Sequence, residues 1–148
     1  MSENPHTGSC TCGDCSVSIV LPEPLSSYTP RACDCGFCVP RGVAYLSAPQ
    51  ARISLRSVSG WRRDQQGSRQ AFFLSCTLCG ELLAVVAELE DGWRGAVNAR
   101  QLEDRELLRE AQPASPKGLD GSGKRARWGS LWGRVEMEAV LDRLEQRG

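Results

Sequence analysis

The sequence predicts a mainly β fold with a minor helix near the carboxy terminus. Three observations carry this expectation. Cys15, Val17 and Ile19 alternate with Ser16 and Ser18, the period of two that marks a half-buried strand. Similar short apolar runs recur along the chain, separated by turn-forming glycine and proline. Three tight cysteine clusters fall at the ends of these runs: Cys10, Cys12 and Cys15; Cys33, Cys35 and Cys38; Cys76 and Cys79.

Taken in order, residues 1–9 are polar and read as a flexible amino-terminal arm. The alternation at Cys15–Ile19 is the first strand. Pro22, Pro24 and Pro30 then break the chain into a loop leading to the second cysteine cluster. Val43–Ser47 is a short apolar strand, and Ile53, Leu55 and Ser57 repeat the alternation. Ser59–Ser68 is polar and reads as a hairpin connection. Ala71–Ser75 and Leu82–Leu89 are strands flanking Cys76-Thr77-Leu78-Cys79-Gly80, where a glycine after the second cysteine allows backbone amides to turn towards sulfur. Glu90-Asp91-Gly92 is a turn before a strand at Gly95–Ala99. Acids precede arginines in Leu102–Arg109, which favours one or two helical turns. Gln112–Lys124 is rich in Pro, Gly and Ser and reads as loop. Val140, Leu141 and Leu144 share one face of a helix expected over Val135–Gln146.

A chain of 148 residues with 41% hydrophobic side chains supports one domain with a real core. Equal counts of 18 basic and 18 acidic residues argue against nucleic acid or an anionic membrane as the main partner. No apolar run approaches the roughly 20 residues of a membrane span, and no secretory signal precedes the first cluster. The expected location is cytoplasmic, where cysteines at these spacings bind metal rather than form disulfides.

Eight cysteines allow one closed four-sulfur site and one triplet with an open position. A structural zinc is closed by four ligands, whereas a catalytic zinc keeps a position free.

At Gly8–Gly13, at Cys33-Asp34-Cys35-Gly36-Phe37-Cys38, at Cys76–Gly80 and at Val97-Asn98-Ala99-Arg100, the chain resembles the glutathione-dependent formaldehyde-activating family, which includes centromere protein V. The resemblance runs from about Gly8 to Gly121. It implies coiled antiparallel sheets of the zinc-binding β-tent type, with a zinc-binding domain over 10–121 and a carboxy-terminal extension, part helical, over 122–148. Two zinc ions per chain follow from it. Cys10, Cys12, Cys76 and Cys79 resemble the ligands of a structural zinc; Cys33, Cys35 and Cys38 resemble the triplet at the catalytic zinc. Physical reasoning agrees: the first set would staple distant segments together, and the second lies within one loop. Arg41, Asn98 and Arg100 are the candidate substrate contacts, the arginines offering planar donor forks.

The implied activity is that of a carbon–sulfur lyase like S-(hydroxymethyl)glutathione synthase, whose partners are a small thiol such as glutathione and a small aldehyde. The alternative is a non-catalytic zinc module that mediates protein interaction. Asp34 replaces a histidine common in the family, and Val39 replaces a basic residue; Arg31 and Arg41 would offset the added negative charge. Cys15, on a core strand, reads as a small buried hydrophobe, and His6 as solvated. The sequence does not specify the oligomeric state.

Overall fold

A computed structural model describes residues 5–33, 43–65, 71–90, 92–114 and 132–136. Among them, eleven strands form one branched, mixed sheet. In chain order these are β1 (His6–Ser9), β2 (Cys15–Val20), β3 (Arg31–Cys33), β4 (Ala44–Leu46), β5 (Arg52–Ser57), β6 (Trp61–Gln65), β7 (Phe72–Cys76), β8 (Leu82–Leu89), β9 (Gly92–Asn98), β10 (Gln112–Ala114) and β11 (Gly133–Glu136). Single 3₁₀ turns at Leu25–Ser27, Ala99–Gln101 and Arg105–Leu107 are the helical elements of the described residues. The fold is mainly β, as the alternating sequence predicts. No helix among these residues is long and apolar enough to cross a membrane.

Strand β9 is where the sheet divides. One of its edges carries β8 along Ala84–Leu89. The other is shared, with Gly95 and Arg94 pairing to β11 and Asn98 and Val97 pairing to β4. From β11 the sheet continues through β5 and β2 to β1; from β4 it continues through β3 to β10. Most ladders are antiparallel, while β10 on β3 and β11 on β5 are parallel.

Strand β8 is buried at every position from Leu82 to Ala87, which is what a strand covered on both faces requires. Ala84 and Val86 belong to the main core with Ile19, Ile53, Trp61 and Leu102. Val85 and Ala87 face a second cluster with Ala71 and Ala96, against which Phe73 and Trp132 pack. A register shift at Leu74/Ser75 of β7 resets the alternation, so that Leu83 joins the same core as Ala84.

Several polar segments are strands, contrary to the sequence-based expectation. His6–Ser9, expected in a flexible arm, pairs with β2 from His6↔Ile19 to Ser9↔Ser16. Gly8 also bridges Leu102, and a Cβ there would lie 2.0 Å from the Gln101 carbonyl oxygen. Only glycine permits that approach. His6 is not simply solvated, since its Nδ1 lies 3.5 Å from Asp104. Trp61–Gln65, expected as a hairpin connection, is a strand anchored by the fully buried Trp61 and paired along β7. Gln112–Ala114, expected as loop, is β10. Val135 and Glu136 belong to β11 rather than to a helix; the remainder of that expected helix, 137–146, lies outside the described residues, as does most of the extension over 122–148.

Candidate metal centre

Two turns built on the same local chemistry face each other. In the β1–β2 turn, Gly13 N–H donates to the Cys10 carbonyl at 3.0 Å and Cys10 N–H to the Cys15 carbonyl at 3.1 Å. In the β7–β8 turn, Gly80 N–H donates to the Cys76 carbonyl at 3.0 Å and Cys76 N–H to the Glu81 carbonyl at 2.9 Å. Gly13 and Gly80 have φ of 79° and 78°, the left-handed region that glycine enters without a Cβ penalty. Glu81 clasps the turns together, accepting from the Thr11 backbone N–H at 3.3 Å and from the Thr11 hydroxyl.

The clasp brings the sulfurs of Cys10, Cys12, Cys76 and Cys79 within 4.8 Å of one another. Cys10 to Cys12 is 3.5 Å, and Cys12 to Cys76 is 3.5 Å. Disulfide sulfurs would be at about 2.05 Å; a tetrahedral ion with bonds of about 2.3 Å spaces its sulfurs by about 3.8 Å. The donor set therefore fits a closed, four-sulfur metal site. Backbone amides complete it: Cys15 N–H donates to Cys10 Sγ at 3.4 Å, and Leu78 and Cys79 N–H donate to Cys76 Sγ at 3.4 and 3.5 Å. Such bonds are strongest to thiolate.

The electrostatics at Cys76, Cys12 and Cys79 agree with that reading. Burial acts to raise the Cys76 thiol, but the N–H donors of Cys79 and Leu78, with the thiols of Cys12 and Cys79, bring it down to about 7. At Cys12 the Asp14 N–H acts to lower the value. Desolvation and the sulfurs of Cys10, Cys76 and Cys79 outweigh it, pushing Cys12 up to about 12. Cys79 is also raised, chiefly by burial. Without a cation the cluster accommodates one thiolate readily and resists the next. A divalent ion removes that resistance, and its binding expels protons.

Asp14, Cys15 and Cys76 form a second group with ligand atoms within 4.8 Å, but its first two members already have protein partners. Cys15 Sγ is fully buried and donates towards Ser57 Oγ at 3.3 Å and the Gly60 carbonyl at 3.8 Å. Burial holds its thiol well above the usual range. Asp14 accepts from Ser59 Oγ at 2.8 Å, Ser59 N–H at 3.2 Å and Ser57 Oγ at 3.3 Å. Cys15 is the core residue that the alternation of β2 predicts.

Of the triplet, Cys33 closes β3, in register with Ala114 of β10. Cys35, Cys38 and Arg41 lie outside the described residues. Asn98 is buried, and its side chain is committed to the backbone: Nδ2 donates to the Leu82 carbonyl at 2.8 Å, and Oδ1 accepts from Arg100 N–H at 3.2 Å and Ala44 N–H at 3.5 Å. That geometry makes Asn98 a tie between β4, β8 and the Ala99–Gln101 turn, and a support for Arg100. Arg100 itself is exposed and lines a cavity of about 350 Å³ with Arg105 and Arg109. Arg105, Arg109 and Glu81 are not among the site residues the sequence predicts. Glu81, directly after Cys76–Gly80, was the available signal for the clasp.

No protein-family model matches this sequence, and no curated protein matches it. Among solved structures, the chain is similar to the crystal structure of a Rhodobacter sphaeroides protein, at 26% identity and a TM-score of 0.52. The match covers 72% of this chain and 97% of that one.

Proposed function

We propose that the chain is a zinc protein with one structural and one catalytic-type site, acting as a carbon–sulfur lyase-type enzyme that joins a thiol such as glutathione to formaldehyde or a similar small aldehyde. The observation that carries this reading is the convergence of Cys10, Cys12, Cys76 and Cys79 within 4.8 Å. That is the division of cysteines the family resemblance implies, and it leaves Cys33, Cys35 and Cys38 for a second ion. The structural ion would hold the β1–β2 turn against the β7–β8 turn. A zinc ion on the triplet would supply charge that keeps a bound thiol ionised near neutral pH, where a free thiol with a pKa of about 8.5 is mostly protonated.

In the reaction the thiol sulfur forms a bond to the carbonyl carbon. The C=O π pair moves onto oxygen, and the proton released by the thiol ends on that oxygen. The role of this chain's own residues is to bind and orient. Asn98 fixes the backbone from which Arg100 projects, and β3 delivers Cys33 at its end. The unit responsible spans 10–121 in this reading, acting in the cytoplasm without nucleic acid or membrane.

A non-catalytic zinc module for protein contact is the second reading. It draws on the exposed Leu78, 65% accessible in the β7–β8 turn, and Val58, 72% accessible, whose N–H donates to the Asp14 carbonyl in the β1–β2 turn. Cobalt substitution separates the two readings. Catalysis predicts a change in the visible spectrum on adding glutathione, absent in Cys38→Ser, and adduct formation with formaldehyde faster than in a protein-free control. A silent spectrum and no acceleration would favour the interaction module.

A further inference from the structure

Beyond the cysteine centre, the described residues contain a basic cavity that the proposed reaction does not explain in full. Its volume of about 350 Å³ lies at the lower end of the roughly 300–1,000 Å³ typical of small-molecule sites. Among the described residues, three arginines, Arg100, Arg105 and Arg109, line it against one carboxylate, Glu110, a formal excess of two positive charges. Pro30, Ala44, Ala99, Leu108 and Ala111 supply apolar wall between them.

The guanidinium groups are held in place by the chain. Arg109 donates through Nε to the Ser26 carbonyl at 2.9 Å, which leaves its two terminal nitrogens as a fork. Its own N–H donates to the Tyr28 carbonyl at 3.0 Å, and Gln112 N–H donates to the Pro30 carbonyl at 3.0 Å. These bonds zip the 109–112 segment along the 28–30 segment. Arg105 donates through Nη1 to the Leu102 carbonyl at 3.1 Å. Arg100 is fixed at its backbone by Asn98, and among the described residues its side chain makes no hydrogen bond. Two forks are thus oriented in advance and a third is free to close. Fixing the donors before binding removes part of the ordering cost of capturing a ligand.

We infer that this cavity binds a small aliphatic dicarboxylate. Planar guanidinium forks match carboxylate oxygens in pairs, two carboxylates neutralise the excess charge, and the apolar wall suits a short methylene chain between them. Phosphate would satisfy the forks but not the wall.

The test is calorimetric titration of the full-length, zinc-loaded protein with glutarate, with neutral glutaramide and with inorganic phosphate. Glutarate should bind saturably, with a Kd below about 1 mM, and glutaramide should not bind. Arg100→Gln, which removes no hydrogen bond of the fold, should weaken glutarate about tenfold, the worth of one charge-assisted hydrogen bond. Arg109→Gln should do likewise. Arg62→Gln on β6, paired with Asp64 at 3.4 Å, controls for net charge and should leave binding unchanged. No saturable binding of glutarate, unchanged binding in Arg100→Gln, or phosphate binding as tight as glutarate would overturn the assignment.

Discussion

Replacing Cys76 by serine removes the residue on which most of the metal centre converges. Its sulfur is fully buried, lies 3.5 Å from Cys12 Sγ across 64 residues of sequence, and accepts two backbone N–H groups. The magnitude can be approached from two sides. Treated only as a cross-link closing a loop of about 65 residues, the staple is worth about 4 kcal/mol of chain entropy in the unfolded state. Treated as a structural zinc site, it couples on the order of 10 kcal/mol of binding to folding. The two N–H bonds, which the shorter serine oxygen does not reach, add about 1 kcal/mol each. A domain of this kind has a net stability of about 5–15 kcal/mol, so even the lower figure removes much of it. Urea unfolding followed by circular dichroism, in a buffer with fixed free zinc, should find Cys76→Ser largely unfolded without denaturant. Cys38→Ser should retain the folded transition. If Cys76→Ser unfolds within about 1 kcal/mol of the parent protein under these conditions, the four-sulfur staple is wrong.

Other residues give sharper, smaller effects. Cys15→Val should keep the zinc content and stability within about 1.5 kcal/mol, as for a near-isosteric apolar exchange; losing one zinc per chain would make Cys15 a ligand. Asn98→Ala should cost roughly 1–3 kcal/mol, since it strands the buried Leu82 carbonyl and the buried Ala44 N–H, and thermal unfolding at fixed zinc would register it. Around Asp14, desolvation acts to raise the carboxyl, but donors from Ser59, then Ser57 and Cys15, leave it lowered. A lowered folded-state pKa means stability that is present above the unfolded value of about 3.9 and lost as pH falls through the folded value. Asp14→Asn should therefore be less stable than the parent at neutral pH, with the difference shrinking below about pH 4. A difference independent of pH would refute the carboxylate's role.

The parts of the fold written as alternation were readable in the chain. Cys15–Ile19 is buried at every second residue, and Leu82–Leu89 is a strand with those bounds. Strands without an apolar stripe were not readable. β1 and β10 gain their order from pairing to β2 and β3, which a local pattern cannot register. β6 carries Arg62, Arg63 and Asp64, with Trp61 as its one apolar residue, and its order comes from pairing along β7. Val135 continues an apolar pattern that suits a helix, yet it pairs with Ile53 in a parallel ladder. At the metal centre, cysteine spacing pointed to metal binding because ligand geometry is written in residue type, and the family resemblance grouped Cys10, Cys12, Cys76 and Cys79 as one ligand set. The arginine cavity was illegible for the opposite reason: Arg105 and Arg109 follow acids as in an ordinary helical turn, and only the pairing of 109–112 with 28–30 brings them beside Arg100.

The most direct test of the two-site assignment is metal analysis of the purified protein, with zinc per chain measured by mass spectrometry and the sulfur shell by X-ray absorption. Two zinc ions per chain are expected in the parent protein and one in Cys38→Ser. In that variant the remaining ion should have four sulfur neighbours at about 2.3 Å. A Cys38→Ser protein that folds without zinc, or whose single zinc has fewer than four sulfurs, would contradict it.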